Sequence, residues 1–238
     1  SIKAKGLINI QLIYYKDKIY VLEVNPRASR TVPFISKVTK TPLVKIATDV
    51  MLGGSLEQVG IKKEINTLAI KGPVFSMDKI DNAEIALGPE MKSTGEILSI
   101  DTNLNNALYK TFIAQFNKDI FDINNKILIS LSKKAKDELK ESLDKIDHLN
   151  LNLHATKGTY KYLKPFIDIE KYDGDIESFD AILNIPENGN DQKTDGFYLR
   201  QQSQIYNIPI MTSVNTIKKY LELYISQVEI LDTKLFSI

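Results

Sequence analysis

The stretch of the sequence whose side chains suggest chemistry most directly is VLEVNPRASRT, residues 21–31. Glu23 and Asn25 offer oxygen ligands, and Mg²⁺ favours few carboxylates together with substrate phosphates. Arg27 and Arg30 offer guanidinium groups that hold phosphate or carboxyphosphate oxygens in forked geometry. The stretch therefore indicates a site for a metal-bound nucleotide and the group that it transfers. The alternative is a surface hairpin with a polar face and a solvated helix end, and geometry alone leaves both open.

Two strands, residues 7–14 and 19–25, are predicted to form a hairpin that positions these side chains. If the loop is formed by the three residues from Lys16 to Lys18, Gln11 lies directly opposite Glu23. Opposed residues on neighbouring strands lie about 4.5–5.5 Å apart, so Gln11, Glu23 and Asn25 form a natural cradle for a hard cation.

The alternation of side chains predicts that the other face of the hairpin is apolar and packs into a core. Its members are Ile8, Ile10, Leu12, Leu22 and Val24, while Asn9 shares the polar face and lies opposite Asn25. Pro26 is predicted to begin a helix with Asn25 as its N-cap, which places Arg27 and Arg30 on one helical face.

Composition excludes several classes of protein. The 238 residues, with 31 basic and 30 acidic side chains, carry a net charge of +1 and no basic stripe that would follow a nucleic-acid backbone. The absence of cysteine excludes disulfides and thiolate metal sites, and suits a reducing compartment. No apolar run approaches the roughly 20 residues that span a bilayer. Because the chain reaches a strand immediately after Ser1, it is expected to be cut from a longer protein.

The pattern of apolar residues predicts an α/β protein with two units joined by a helix. Residues 1–101 are expected to form an α+β unit, and residues 102–125 a helix and linker. From residue 126 to residue 238, strands and helices alternate, which indicates a parallel sheet covered on both sides in three layers. The strands of this sheet are predicted at residues 126–131, 149–154, 165–169, 179–185 and 208–211.

A second constellation lies in the loop from Ala155 to Thr159, between a predicted strand and helix. Ligands in such folds bind beyond the carboxyl ends of the strands, and this loop offers hydroxyls, a lysine and free backbone N–H groups to an anion. Lys136 lies on the first helix of the same unit and is predicted to face the loop across the sheet end. On chemistry alone, a capped helix start with scattered lysines is the better interpretation.

The run GLINIQLIYYKDKIYVLEVNPRASRTVPFISKVTKTPLVKIATDVMLGG, followed by LGPEMKSTGE, closely resembles the carbamoyl-phosphate synthetase large chain, at the end of its second ATP-grasp unit. The region with ATKGT is similar to the regulatory domain of that family, which has a methylglyoxal-synthase-like, Rossmann-like fold. The resemblance implies that Gln11, Glu23 and Asn25 bind ATP-bound Mg²⁺ or Mn²⁺. It also implies that Arg27 and Arg30 line the site where carbamate is phosphorylated.

In the regulatory domain the resemblance implies an effector site that holds the phosphate of a nucleotide. Its residues are Ser130, Lys136, Thr156 and Thr159, with Lys171 and Asn184 as looser matches. Two departures leave the effector open. Pro186 replaces a hydroxyl of bacterial members, and the chain has no tryptophan, which the acetylglutamate pocket of the animal form uses.

The resemblance also implies the setting in which the chain works. It implies a ligase of pyrimidine and arginine biosynthesis whose partners are the remainder of the large chain, a glutaminase small subunit or domain, and a small allosteric effector. Neither nucleic acid nor a membrane is an expected partner, and a cytoplasmic location is expected, with an organellar form left open. One rival is an effector-binding module with no catalytic activity of its own. Another, a free-standing methylglyoxal synthase, is disfavoured because its catalytic aspartates find no match.

Overall fold

The computed structural model describes residues 3–56, 66–75, 91–145, 147–149, 151–187 and 194–226. The chain forms two compact units, which are described separately. Unit 1 comprises Ser1–Ala69 and Ile100–Thr102, and unit 2 comprises Ile70–Ser99 and Asn103–Ile238. The predicted α/β class is confirmed, whereas the predicted domain limits at residues 101 and 125 stay predictions.

Unit 1 begins with an antiparallel hairpin of β1 (Asn9–Tyr15) and β2 (Lys18–Asn25). The predicted loop from Lys16 to Lys18 is wrong, because Lys18 already pairs with Tyr15 and only two residues form the turn. Lys16 and Asp17 both have positive φ, of 48° and 59°, which is the tight turn geometry that matches the twist of the strands.

The register that matters for the site is nevertheless as predicted, because a bulge compensates for the shorter turn. Gln11 pairs with Glu23, and the next pair is Leu12 with Val21, so Leu22 is an extra residue in β2. Beyond this bulge the pairing of Asn9 with Asn25 also follows the prediction.

The apolar face of the hairpin is not part of a core in this chain, so that prediction is wrong. Ile10 is 52% exposed, Leu12 54% and Leu22 58%. A two-stranded sheet buries a face only where another layer packs against it.

The first helix of unit 1 begins later than predicted. Pro26 lies in a bend after β2, where Arg27 N–H donates to the carbonyl oxygen of Asn25 at 2.8 Å, and α1 runs over Thr31–Thr39. Pro33 stands in the first turn of α1, where the backbone N–H groups have no intrahelical acceptor. The second helix, α2 (Leu43–Met51), starts directly after Pro42.

A two-stranded sheet and a helix precede the large sheet along the chain. The sheet consists of β3 (Leu68–Val74) and β4 (Gly95–Asp101). Helix α3 (Leu104–Phe116) confirms the helix predicted within residues 102–125, and its N-cap Asn103 accepts a hydrogen bond from Asn105 N–H at 2.8 Å. Of the segment LGPEMKSTGE, residues 87–90 lie outside the described residues, whereas residues 91–96 lead into β4 and begin it.

Unit 2 is built on a five-stranded parallel sheet, which confirms that prediction. The strands are β5 (Lys126–Leu131), β6 (Asn152–Ala155), β7 (Glu170–Lys171), β8 (Ala181–Ile185) and β9 (Ile210–Met211), in the order β7-β6-β5-β8-β9. The strand predicted at residues 165–169 is wrong. Both Phe166 N–H and Ile167 N–H donate to the carbonyl oxygen of Leu163, so the chain turns there before β7.

Apolar clusters lie on both faces of this sheet, as its alternating strand residues require. Ile127 and Ile129 pack into the larger cluster, whereas Leu128 between them packs into the smaller one with Phe179 and Leu199. The helices of the unit are α4 (Lys133–Asp144), α5 (Lys157–Leu163), α6 (Asp195–Ile205) and α7 (Val214–Ile225). Within the described part of the chain, no helix combines the length and apolar character needed to cross a membrane.

Candidate functional site

The hairpin of unit 1 brings the three predicted metal ligands together on one polar face. Gln11 lies opposite Glu23, and Asn25 follows Glu23 by two residues on the same strand. Asn25 Nδ2 donates a hydrogen bond to Glu23 Oε1 at 2.8 Å, so the two side chains are already in contact. The bulge at Leu22 adjoins the pair, and bulges re-aim side chains in this way.

This donor set fits a magnesium or manganese ion. One carboxylate and two amide oxygens are hard ligands that leave coordination positions for water and phosphate oxygens. The amide of Asn25 would turn its oxygen, instead of its Nδ2, towards a cation held by Glu23. Elsewhere among the described residues, no group of three or more histidine and acidic side chains could hold a metal ion.

Arg27 and Arg30 follow this site in the connection between β2 and α1. The prediction that they share one helical face is wrong, because α1 begins only at Thr31 and Arg30 is its N-cap residue. Both side chains are exposed, and Arg27 Nη1 donates to the carbonyl oxygen of Ala28 at 3.1 Å. The two guanidinium groups are therefore carried by an irregular segment, two and five residues beyond Asn25.

A second polar cluster lies in unit 2, at the carboxyl ends of β5, β6 and β8. Thr156 Oγ1 donates to Ser130 Oγ at 3.2 Å and lies 3.4 Å from Thr159 Oγ1, which accepts Leu131 N–H at 3.0 Å. Asn184 pairs with Ser130 across the sheet, and its Nδ2 donates to the carbonyl oxygen of Ser130 at 3.4 Å. We call Ser130, Thr156, Thr159 and Asn184 the edge network; all four are buried.

The two predicted lysines lie differently with respect to the edge network. Lys136 on α4 reaches the first turn of α5, where its Nζ lies 3.7 Å from the position that a Cβ on Gly158 would occupy. Lys171 is the last residue of β7, pairs with Ala155 of β6 and is exposed. The structure thus brings five of the six predicted effector residues to one part of the sheet edge, with Lys171 two strands from β5.

Arg200 on α6 is a buried polar residue that the sequence did not single out. Its side chain is 2% exposed, and its Nη1 donates to Asn184 Oδ1 at 2.9 Å. Gly196, one turn earlier, packs against the same amide, since a Cβ there would lie 3.0 Å from Asn184 Nδ2. Arg200 lies on the buried face of α6 with Leu199 and Ser203, which the structure shows and the residue types do not.

The edge network has the chemistry of an oxyanion site. Thr156 Oγ1 is the donor in both hydroxyl contacts, whose lengths of 3.2 and 3.4 Å exceed the usual O–H···O distance of about 2.7–2.8 Å, so its one hydrogen is used weakly within the protein. Hydrogen bonds to a charged oxygen are shorter and roughly twice as strong as neutral ones. An oxyanion is therefore a better partner for the Thr156 hydroxyl than Ser130 and Thr159 are.

Both units of the chain are similar in sequence to parts of carbamoyl phosphate synthase large chains. Residues 1–59 match the family model described as the ATP binding domain of the carbamoyl-phosphate synthase L chain. The chain is 41% identical to the carbamoyl phosphate synthase large chain of Clostridium perfringens strain 13, over 94% of this chain and 22% of that protein. The large chain of Thermoanaerobacter sp. strain X514 is also 41% identical, over 93% of this chain and 22% of that protein. That of Clostridium botulinum strain Kyoto is 39% identical, over 96% and 23%. The chain thus spans about a fifth of the length of these relatives.

Proposed function

The chain belongs to the carbamoyl phosphate synthase large-chain family, and from that premise we propose that it supplies part of an ATP-dependent phosphoryl-transfer site. The observation that carries this proposal is the polar face of the hairpin. Gln11 and Glu23 are paired there, and Asn25 contacts Glu23, within the region that matches an ATP-binding domain.

In the proposed reaction, a carbamate oxygen attacks the γ-phosphorus of ATP, the bond from that phosphorus to the β-phosphate oxygen breaks, and ADP leaves as carbamoyl phosphate forms. Gln11, Glu23 and Asn25 would hold a Mg²⁺ or Mn²⁺ ion, which would supply positive charge to neutralise the triphosphate. Arg27 and Arg30 hold the oxygens of the transferred group. The reaction needs no nucleophile from the protein.

The proposed partners follow from the same premise. The remainder of a large chain supplies the other side of the nucleotide site, and the exposed apolar face of the hairpin, with Ile10, Leu12 and Leu22, is a surface that it can cover. A glutaminase small subunit or domain supplies ammonia. Neither nucleic acid nor a membrane is proposed as a partner, and the proposed location is the cytoplasm.

The metal site is tested by titrating the chain with Mn²⁺ and following the free ion by electron paramagnetic resonance. Glu23→Gln removes the one carboxylate of the donor set and should weaken binding at least about tenfold, or about 1.4 kcal/mol. Asp17→Asn is the matched control. Asp17 lies in the turn of the same hairpin, where it accepts a hydrogen bond from Tyr14, and its loss should leave Mn²⁺ affinity unchanged. Equal affinities for the parent and Glu23→Gln would refute the assignment.

The transfer step is tested by complementation. The chain is combined with the remaining portion of a related large chain, and ATP-dependent formation of carbamoyl phosphate is measured. Arg27→Ala and Arg30→Ala should each lower kcat more than they change the KM for ATP, because they are proposed to contact the transferred group in the transition state. A change in the KM for ATP alone would place them elsewhere.

A second proposed function, regulation by a phosphate-bearing effector, is favoured by the edge network. Thr156 and Asn184 supply weakly used donors, Ser130 and Thr159 place hydroxyl groups beside them, and Lys136 adds a positive charge nearby. This part of the chain is proposed to be the methylglyoxal-synthase-like regulatory domain, with Lys171 further along the same edge of the sheet.

Calorimetry separates the two functions. Uridine 5′-monophosphate should bind and uridine should not, because the proposed contacts are to the phosphate. Binding of the monophosphate that survives Glu23→Ala, together with no carbamoyl phosphate formed when the parent is combined with the remaining portion of a related large chain, would identify the chain as an effector-binding module without catalytic residues in use. Failure of every phosphate compound to bind would remove the regulatory function.

A further inference from the structure

We infer that Arg200 is a positioning residue of the proposed effector site, which it serves by fixing the carboxamide of Asn184 with its N–H donors towards the edge network. The inference rests on the proposed regulatory function of that network. It adds a residue of α6 that lies outside the set of predicted ligands. It also accounts for a preference of the site for anionic ligands.

The chemistry of the two side chains fixes the orientation of the amide. A guanidinium group has donors only, so the atom of Asn184 that faces Arg200 Nη1 at 2.9 Å must be the oxygen. The Nδ2 group is then directed away from Arg200, and one of its N–H bonds points to the carbonyl oxygen of Ser130. Without Arg200, rotation of the carboxamide by half a turn would exchange donor and acceptor at the same place.

Gly196 holds the amide from a second side. The position that a Cβ would occupy there lies 3.0 Å from Asn184 Nδ2 and 3.5 Å from Arg200 Nη1, so α6 approaches the amide closely only because residue 196 has no side chain. The amide therefore lies between the carboxyl end of β5 and the first turns of α6, in a space that admits little movement.

The consequence is a preference for anionic ligands. An oxyanion requires donors, and a carboxamide turned the other way would present its oxygen to the anion. The ligand class that fits is a phosphate monoester or inorganic phosphate.

Arg200 also makes interactions besides the one with Asn184, so a test must separate its positioning role from a general role in the fold. The experiment uses the whole 238-residue chain and isothermal titration with inorganic phosphate in a phosphate-free buffer. Arg200→Met should weaken phosphate binding about tenfold, or about 1.4 kcal/mol. Arg200→Lys keeps a donor for Asn184 Oδ1 and should recover most of the affinity.

A double-mutant cycle gives the readout that a merely structural role would not move. In an Asn184→Ala background, Arg200→Met should have less than about a twofold further effect, because the group through which Arg200 acts is gone. Equal, additive losses in the two backgrounds would overturn the inference, as would unchanged affinity in Arg200→Met.

Two further outcomes keep the inference testable if Arg200→Met does not fold. In the parent, both Nδ2 protons of Asn184 should shift in ¹⁵N-resolved NMR spectra when phosphate is added, and unshifted signals would overturn the inference. If the parent binds no phosphate at all, the regulatory function proposed for the network fails and the role of Arg200 fails with it. If the parent binds phosphate and Arg200→Met binds equally well, the inference alone fails.

Discussion

Tyr224→Phe measures how far two buried tyrosines of α7 limit the stability of unit 2 at alkaline pH. Tyr220 and Tyr224 are 0% and 1% exposed, and each donates its hydroxyl hydrogen to the carbonyl oxygen of Ile120, at 2.7 Å. The two hydroxyl oxygens are 3.3 Å apart. Neither phenol can ionise in place without leaving a buried anion beside a carbonyl oxygen.

Burial raises the pKa of Tyr224 to about 12 in the folded chain, against about 10 in the unfolded chain. Because the folded pKa is the higher one, the stabilisation is fully present below about pH 10 and is lost as pH rises towards about 12. Each pH unit in this window removes about 1.4 kcal/mol per tyrosine, so Tyr224 accounts for about 2.7 kcal/mol over the whole window. Burial also raises the pKa of Tyr220 well above its usual value, so that residue adds to the same decline.

The assay is urea unfolding followed by far-UV circular dichroism between about pH 9 and about pH 11.5. Below about pH 10, Tyr224→Phe should cost about 1 kcal/mol for one lost hydrogen bond, since Tyr220 still donates to Ile120. Above that pH, the free energy of unfolding of the variant should fall less steeply than that of the parent, by about 1.4 kcal/mol per pH unit. Groups that titrate in both proteins cancel in this difference. Parallel curves for the two proteins would show that Tyr224 ionises without hindrance and would refute the reasoning.

Two other substitutions test contacts at opposite ends of the sheet. Thr159→Val leaves Leu131 N–H without its acceptor, and urea unfolding should show a loss of about 1–3 kcal/mol, whereas Thr159→Ser should lose less. Burial alone would raise the pKa of Asp180, but hydrogen bonds from Lys118 and from the backbone N–H of Lys126 hold that pKa below its usual value. The stabilisation by Asp180 is therefore present above about pH 4 and is lost as the pH falls through its folded pKa. Asp180→Asn should be less stable than the parent at neutral pH and should lose less stability in acid. Acid unfolding curves that stay parallel would contradict this.

The hairpin shows how a site can be predicted although a step towards it is wrong. The predicted turn was one residue too long, and the bulge at Leu22 restored the pairing of Gln11 with Glu23. Neither feature has a signal in the residue types. Lys16 and Asp17 take positive φ without the glycine or asparagine that usually marks such a turn, and Leu22 is one apolar residue in an apolar run.

The errors further along the chain have a common physical origin, since local preference and burial do not specify where backbone hydrogen bonds go. Pro26 and Pro33 are both acceptable in the first turn of a helix, and the hydrogen bond from Arg27 N–H to Asn25 decides against the first. Ile167 and Ile169 are buried as their apolar character suggests, yet Ile167 lies in the turn that follows α5. Apolar patterning predicted that these residues face a core and did not identify the element that carries them.

The two candidate sites differ in how much of their binding energy is available in this chain. Gln11 and Glu23 are exposed, so a cation there competes with water for ligands that remain hydrated, and Mg²⁺ loses its own water reluctantly. The donors of the edge network are already buried and held in place by the fold, so the cost of removing them from water and ordering them is met before a ligand arrives.

Phosphate binding to unit 2 should therefore be measurable in the 238-residue chain at concentrations where the hairpin holds Mn²⁺ only weakly. Addition of the remaining portion of a related large chain should strengthen Mn²⁺ binding at Glu23 and leave phosphate binding at Thr156 and Thr159 nearly unchanged. The opposite result would mean that the edge network, and not the hairpin, is the site completed by the added portion of the large chain.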